Sequence, residues 1–465
     1  MSFLRMLEIL DRAHAGPICT LKEWNTRVIS TNVSRKLQEH GLKGTFDPTN
    51  PINTDDKLAD TFFKAGFELA VEMGVLCQNT ERVIKVSEDE LRTAIKNAPS
   101  QVFLGKGVDT VLLKHRQPED KYPALGSAPT AVVVGEDIYT KFTEACVQYR
   151  EVDVLEGATI STIYGRHALA RTPYETMVGW YEAQLTKEAL ARAGRPGICK
   201  IGIISSPTEY GQLGGFGTSA GGLDPEKDLA IVLVPGELTT SYEVFHKVIH
   251  TNICGGRVLM NYATMIGGYP GSIEGTVLTY IAMGLLSFAI HPTICMSGID
   301  MIDVRYLGNC GREGMWVHSV ARQAAARNTH YLVWDMLDQV GGPGTEMLLY
   351  EDAVSMLMYS ASGGCGCFTT RTSGTRHAEF ITPLECKFCC ELLHCSAGMT
   401  RKQVNEIVKV LIPKYENMLW DPPQGKGFRE LFDLETLKPK KEYLDLYLKV
   451  KKELIDMGVP LDPHF

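Results

Sequence analysis

Apolar and polar positions along this chain follow two different periods. In its first quarter the period is helical. Leu58, Phe62, Ala65 and Leu69 share one face of a helix predicted over 55–73. Ser87 followed by Glu90 forms a capping box ahead of Leu91 and Ile95. The stretch QVFLGKGVDTVLLK reads as two short strands joined around Gly105-Lys106-Gly107, a β-hairpin. From about residue 125 short, predominantly apolar strand candidates take over: Val132–Val134, Val152–Leu155, Ile198–Ile204, Leu229–Val234, Val258–Ile266, Met301–Leu307, Tyr331–Trp334 and Cys365–Thr369. Runs of this kind mark strands buried on both faces, as in a parallel sheet. The run within Arg195–Ser206, RPGICKIGIISS, stands out, because a helix from Pro173, capped by Thr172 and stopped at Gly194, leads into it.

Eight such strands, several separated by helical stretches, predict a (β/α)8 barrel over 123–397. An N-terminal appendage of helices and a hairpin (1–122) precedes it, and a helical tail (398–465) packs on it. Doubly wound sheets alternate similarly, but the strand count and the lack of an early glycine fingerprint favour the barrel. Its active site is expected at the carboxyl ends of the strands. In the tail an amphipathic helix spans 438–457, with Lys438, Lys440, Lys441, Lys449, Lys451 and Lys452 read as a solvated face.

Composition narrows the function classes. A net charge of −8, from 47 basic and 55 acidic side chains, and no basic, aromatic-interleaved patch argue against nucleic-acid binding. Thirteen cysteines without framework spacing point to a reducing compartment, the cytoplasm. The opening MSFLRMLEILDRAHAG carries acidic residues among its apolar ones and reads as an amphipathic helix, not a signal peptide. Residues 277–296 contain no Lys, Arg, Asp or Glu and are long enough to span a bilayer. Gly284, Ser287, His291 and Pro292 within them favour a buried helix, so no membrane association is expected.

Five motifs carry candidate chemistry. The glycine-rich 214–222 follows a strand but lacks a Walker lysine, and reads as a flexible loop, lid or docking surface. In 267–275 Glu274 falls at a helix start, and in 341–346 so does Glu346; either acid is functional or merely favoured by the helix dipole. Cys365 and Cys367 share one face of a strand. Facing the barrel axis, they form a zinc site with Cys310 and His330, while Glu237 and Asp335 are further candidate donors. Cys386, Cys389 and Cys390, with His394 and Cys395 nearby, resemble a metal knuckle without a second half, and equally a buried helix face.

At these residues the chain resembles the monomethylamine methyltransferases. The matching pieces run nearly end to end: LEILDRAHAGPICT, DTFFKAGFELAVEMGVLC, NTERVIKVSEDEL, AGRPG at 193–197, IGGYPGSIE at 266–274, GREG at 311–314 and GPGTEM at 342–347. The resemblance implies a (β/α)8 barrel, usually oligomeric, moving a methyl group from substrate to the Co(I) of a separate, cognate corrinoid protein docked over the barrel mouth. It also exposes departures. The family's pyrrolysine, an electrophilic imine, aligns with Ile201, which cannot do its chemistry. Lys200, the nearest amine, would point to the opposite face and is a nucleophile. Two family glutamates align with Ile231 and Asn261, and a glutamine and a tyrosine near Met336 and Asp338.

The implied pocket, lined by Ile201, Ile231, Tyr262, Met336, Asp338 and Glu274, is poor for a small ammonium. Glu237, Asn261 and Asp335 are the expected catalytic groups. A methyl group on neutral oxygen, sulfur or nitrogen leaves badly, so the leaving atom needs a metal, a general acid, or prior activation as an onium. A methoxylated aromatic donor, activated by zinc, is the first expectation. A methylamine, quaternary amine or sulfonium donor is the alternative, the onium held by an aromatic cage drawn from Trp180, Tyr262, Tyr269 and Trp334. A non-catalytic relative that only binds the corrinoid protein is a further one.

Overall fold

The computed structural model describes residues 3–202, 208–217, 221–299, 301–372 and 377–464. The sequence-predicted N-terminal elements are present. Helices span Phe3–Ala15, Asp56–Met73 behind the Asp55 cap, and Glu88–Asn97 behind the Ser87–Glu90 capping box. Gln101–Leu104 and Val111–Lys114 pair antiparallel as the hairpin.

Seven strands form the central sheet: β1 (Leu125–Val133), β2 (Val154–Thr159), β3 (Leu229–Leu233), β4 (Arg257–Ala263), β5 (Cys295–Ile299), β6 (Leu332–Asp338) and β7 (Gly366–Arg371). Their spatial order is β2-β1-β7-β6-β5-β4-β3, and every neighbouring pair is parallel. Two single parallel bridges, Leu155 to Lys200 and Ile201 to Leu229, attach both edge strands to the same short segment. The expected strand at Ile198–Ile204 is therefore seen at its middle, while Ile203 and Ile204 lie outside the described residues. The strand expected at Met301–Leu307 is corrected to Cys295–Ile299, with 301–311 forming the loop that follows.

Helices alternate with the strands and cover one face of the sheet. The helix Pro173–Arg192 begins with proline at its first turn as expected, though the Thr172 side chain makes no cap bond. The short helix Glu209–Gly215 lies against it at very close range. A Cβ on Gly179 would sit 2.2 Å from the Gly211 carbonyl oxygen, and one on Gly214 1.8 Å from that of Thr176. The start of the glycine-rich 214–222 is thus a helix-packing surface, and Thr218–Ala220 lie outside the described residues.

The apolar run near 277–296 forms the helix Ile273–Ile290, long and apolar enough to cross a membrane, yet 94% of its apolar window is buried within the protein. The helices Ile29–Glu39, Asp56–Met73, Glu88–Asn97 and Arg312–Asn328 surround it. In the tail, Arg401–Leu411 and Lys441–Asp456 pack on Glu346–Ala361. One tail lysine departs from the solvated-face expectation. Lys451 is buried and donates to Glu391, the Tyr447 hydroxyl and the His464 carbonyl.

Candidate active site

Strand alternation sorts the candidate residues once one residue of each strand is seen to touch a helix. On β4, Tyr262 stacks near Tyr280 at 5.2 Å and donates its hydroxyl to the Tyr280 carbonyl. Tyr262 therefore faces the helices, contrary to its expected place in the pocket, and Asn261 faces the opposite, inner side. On β6, Asp335 lies 2.7 Å from Nε of Arg322 and accepts from the Tyr280 hydroxyl at 2.9 Å. Asp335 is thus a helix-facing structural carboxylate, not a catalytic one, and Trp334, Met336 and Asp338 face inward. The guanidinium of Arg322 also lies 4.4 Å from the Tyr280 ring centre.

Lys200 shows the same logic on its short segment. Its Nζ sits among Glu182, Tyr139 and Thr186 at 3.4–3.5 Å, fully buried beneath the Pro173–Arg192 helix. Burial lowers its pKa, but Tyr139 and Glu182 outweigh that and raise it. Ile201 accordingly faces inward, buried with Leu229 and Ile231 in the main core.

The expected zinc ligands do not converge. Cys367 pairs in register with the helix-facing Asp335 and joins the apolar cluster between sheet and helices. Cys365 shares its parity, and burial raises both thiols. His330 precedes β6, at the amino end of the strand, and its Nε2 contacts the Ala98 carbonyl at 2.9 Å. Cys310 lies beyond β5, its thiol donating to the Asp338 carbonyl at 3.5 Å. Among the described residues no three His, Cys, Asp or Glu side chains come together in a way that could hold a metal ion. Cys386, Cys389 and Cys390 are buried on the Pro383–Cys395 helix, as core filling predicts.

Other expected site residues also find structural partners. Glu274, near the amino end of its helix, accepts from the Phe46 backbone at 3.4 Å, a tie to the N-terminal segment instead of a pocket contact. Glu346 pairs with Lys449 of the tail. An aromatic cage does not assemble from the four expected rings, because Tyr262 faces the helices while Trp334 is buried against Phe368 on the inner side.

What remains on the inner side, toward the carboxyl ends, is a coherent set. Ile231 (β3), Asn261 (β4), Met336 and Asp338 (β6) are all buried. The Asn261 Nδ2 is fully enclosed and has no hydrogen-bond partner among the described residues. Asp338 pairs with Arg371 of β7 at 3.0 Å, and the same guanidinium nitrogen lies 3.3 Å from the Met336 sulfur. Asn309 supports the pair from outside, accepting from the Asp338 backbone at 2.9 Å. Arg371 escaped the sequence reading, since nothing in its local pattern marks it. In the loop beyond β3, Glu237 is buried, accepts from the Met265 backbone at 3.2 Å, and has its pKa raised by desolvation. The inner face is largely apolar, with one unpartnered amide nitrogen on Asn261 and an Asp338–Arg371 ion pair, and the loop beyond β3 adds the Glu237 carboxyl group, biased toward its protonated form.

Across known proteins, the family "Monomethylamine methyltransferase MtmB" matches residues 4–459. The chain belongs to this MtmB family. Among its members, MtmB3 of Methanosarcina barkeri is 29% identical over 461 residues, 97% of each chain. MtmB of Methanosarcina mazei is 28% identical over the same share. The crystal structure of Methanosarcina barkeri MtmB superposes with a TM-score of 0.92 at 26% identity, covering 98% of each chain. A hydroxylamine complex of MtmB superposes equally well, at 27% identity. Membership makes the chain a methyltransferase. Ile201, Ile231 and Asn261, the positions where the resemblance implies departures from the family, lie on the inner face just described.

Proposed function

We propose that this MtmB-family enzyme moves a methyl group from a small non-amine donor, first of all a methoxylated aromatic, to the Co(I) of a corrinoid carried by a separate protein. The architecture we infer is a closed (β/α)8 barrel. The two bridges through Lys200 and Ile201, which tie both sheet edges to one segment, support that closure. One observation carries the donor class: Ile201 and Ile231, with Asn261 beside them on the inner face, offer neither the family's electrophile nor a carboxylate for an ammonium.

Zinc activation at the expected ligands has no support in the described geometry, which leaves proton donation. Glu237 is suited to it: burial holds its proton, and its loop follows the carboxyl end of β3. In this step the Co(I) electron pair attacks the methyl carbon and the carbon–oxygen bond breaks with its electrons going to oxygen. The departing phenolate takes the Glu237 proton, and the acceptor leaves as methyl-Co(III). Asn261 is read as the hydrogen-bonding contact to the donor's oxygen. The resemblance further leads us to expect a cytoplasmic homo-oligomer.

The test is methylation of free cob(I)alamin, followed spectroscopically, with methoxybenzoates, tetramethylammonium and methylamines as donors. Methoxybenzoate turnover supports the reading. Turnover of amines alone overturns it.

A further inference from the structure

Glu237 sits at the corner of a turn whose conformation its own residues do not favour. The Gly236 carbonyl accepts from the Thr239 backbone at 3.3 Å and from the Thr239 hydroxyl at 2.9 Å, which closes the turn 236–239. Leu238, next to the acid in that corner, has a φ of 51°. This corner normally takes glycine or asparagine, and a leucine avoids it because its Cβ crowds the backbone. Strained residues of this kind persist only where the surroundings hold them, and they gather at working sites. The Leu238 side chain is fully buried in the main core, which is one of its anchors.

The other anchor comes from the N-terminal segment, far away in sequence. Val75–Cys77 pairs parallel with Thr239–Thr240 and antiparallel with Arg82–Ile84, a small three-stranded sheet apart from the central one. The Leu76 N–H donates to the Leu238 carbonyl and the Gln78 N–H to that of Thr240, both at 2.9 Å. The Asn79 side-chain oxygen accepts from the Tyr242 N–H at 2.7 Å, at the start of the Tyr242–Ile253 helix. Residues 238–242 are thus stitched to 76–79 along their length. On the other side Glu237 accepts from the Met265 backbone, and a Cβ on Gly268 would stand 3.2 Å from the same carboxylate oxygen. The loop leaves β3 beside Asn261, whose carbonyl accepts from the Val234 N–H at 2.8 Å. Among the described residues no charged side chain shifts the proton affinity of Glu237. Burial raises it, and its own N–H and that of Met265 oppose the rise.

We infer that residues 76–79 of the N-terminal appendage hold the Glu237 carboxyl in place for methyl transfer, with Leu238 and Asn79 as positioning residues. The inference rests on the proposed role of Glu237 as proton donor. A carboxylic acid delivers its proton only within hydrogen-bond reach of the departing oxygen. The direction of its backbone therefore matters, and the strained turn sets it, aiming Glu237 at the 265–268 loop beyond β4. Letting Leu238 relax to a negative φ would rotate the adjoining peptide and re-aim the carboxyl.

The experiment uses the full chain carrying Leu238→Ala, Asn79→Ala or Asn79→Asp, with Ser87→Ala as control for stability lost elsewhere in the appendage. Transfer from a methoxybenzoate to free cob(I)alamin is followed across pH. Isotope-edited NMR of protein labelled at the glutamate carboxyl reads the Glu237 pKa directly, its signal assigned by its loss in Glu237→Gln. Leu238→Ala, which keeps the Cβ but loses the anchor, should lower kcat at least about tenfold with KM within about twofold. Asn79→Ala should lower kcat about threefold. Both should move the alkaline limb to lower pH, because water reaching the carboxyl returns its pKa toward about 4.3. Asn79→Asp still accepts the Tyr242 N–H and should restore the wild-type profile. Ser87→Ala should lower the unfolding midpoint and leave the limb in place. The inference is overturned if both alanine variants keep the wild-type limb, if Asn79→Asp behaves as Asn79→Ala, or if Ser87→Ala shifts the limb equally. Should Leu238→Ala not fold, the Asn79 pair carries the comparison. No methoxybenzoate turnover in the wild type would instead count against the proposed function. The NMR pKa then decides: a fall in the alanine variants supports the inference, and an unchanged value overturns it.

Discussion

Asp335 separates a structural from a catalytic reading most sharply. Replacing it with alanine leaves the Arg322 guanidinium, itself 1% exposed, without its compensating charge. Among the described residues the three guanidinium nitrogens have no hydrogen-bond acceptor, and the 2.7 Å ion pair and the Tyr280 ring offset its burial. Removing one partner of such a pair costs about 3–5 kcal/mol. The Tyr280 hydroxyl also loses its acceptor, within that figure and not on top of it. Removing both charges, in Arg322→Met with Asp335→Leu, should cost far less than the two single changes summed, because packed apolar side chains can replace a buried pair nearly neutrally. The assay is urea unfolding followed by fluorescence and circular dichroism, alongside methyl transfer to free cob(I)alamin. Asp335→Ala should shift the unfolding midpoint strongly, and the double variant should recover most of the shift and the activity. A wild-type midpoint with abolished transfer in Asp335→Ala would refute the structural assignment.

Three further outcomes are expected. Methyl transfer from a methoxybenzoate should fall as pH rises through the raised pKa of Glu237; Glu237→Gln should lower the rate about 10²–10⁴-fold and remove that alkaline limb in a pH–rate profile, while an onium donor stays unaffected. Burial pushes Glu385 up to about 7 and Glu351 to about 8, so between about pH 4.3 and 8 the folded state keeps protons that the unfolded state has released. Stability should therefore decline with rising pH across that window and level off above it, and Glu385→Gln should flatten the decline in urea titrations at pH 5, 6.5 and 8. Gly214→Ala would drive a Cβ to 1.8 Å from the Thr176 carbonyl oxygen, cost about 1–3 kcal/mol, and release the 209–215 helix, seen as faster amide exchange there with little change in the 273–290 helix.

The local rules that read this chain well were those carried by neighbouring residues. The Ser87–Glu90 box, the 101–114 hairpin, the Pro173 start and the buried nature of 277–290 all follow from short-range pattern, and all are present. The strand Cys295–Ile299 was missed because CMSGI carries glycine and serine where a central strand usually carries β-branched residues. Parity within a strand was also legible: Lys200 opposes Ile201, and Cys365 shares a side with Cys367. Which parity meets the helices is not a local property. Asp335, Tyr262 and Cys367 were assigned inward for that reason, and only Arg322 and Tyr280, distant in sequence, decide otherwise. Arg371 and the burial of Lys451 likewise depend on partners far along the chain.

The 273–290 helix has a consequence for how the chain comes to be made. Ribosomal synthesis runs from the amino end, so the 29–39, 56–73 and 88–97 helices exist before it emerges. Its coat is waiting when it appears, and a span that a membrane-insertion machinery could read as its own is claimed first by the protein's earlier segment. A shortened chain beginning near residue 123 would lack that coat, and this segment would then meet water, another chain or a bilayer.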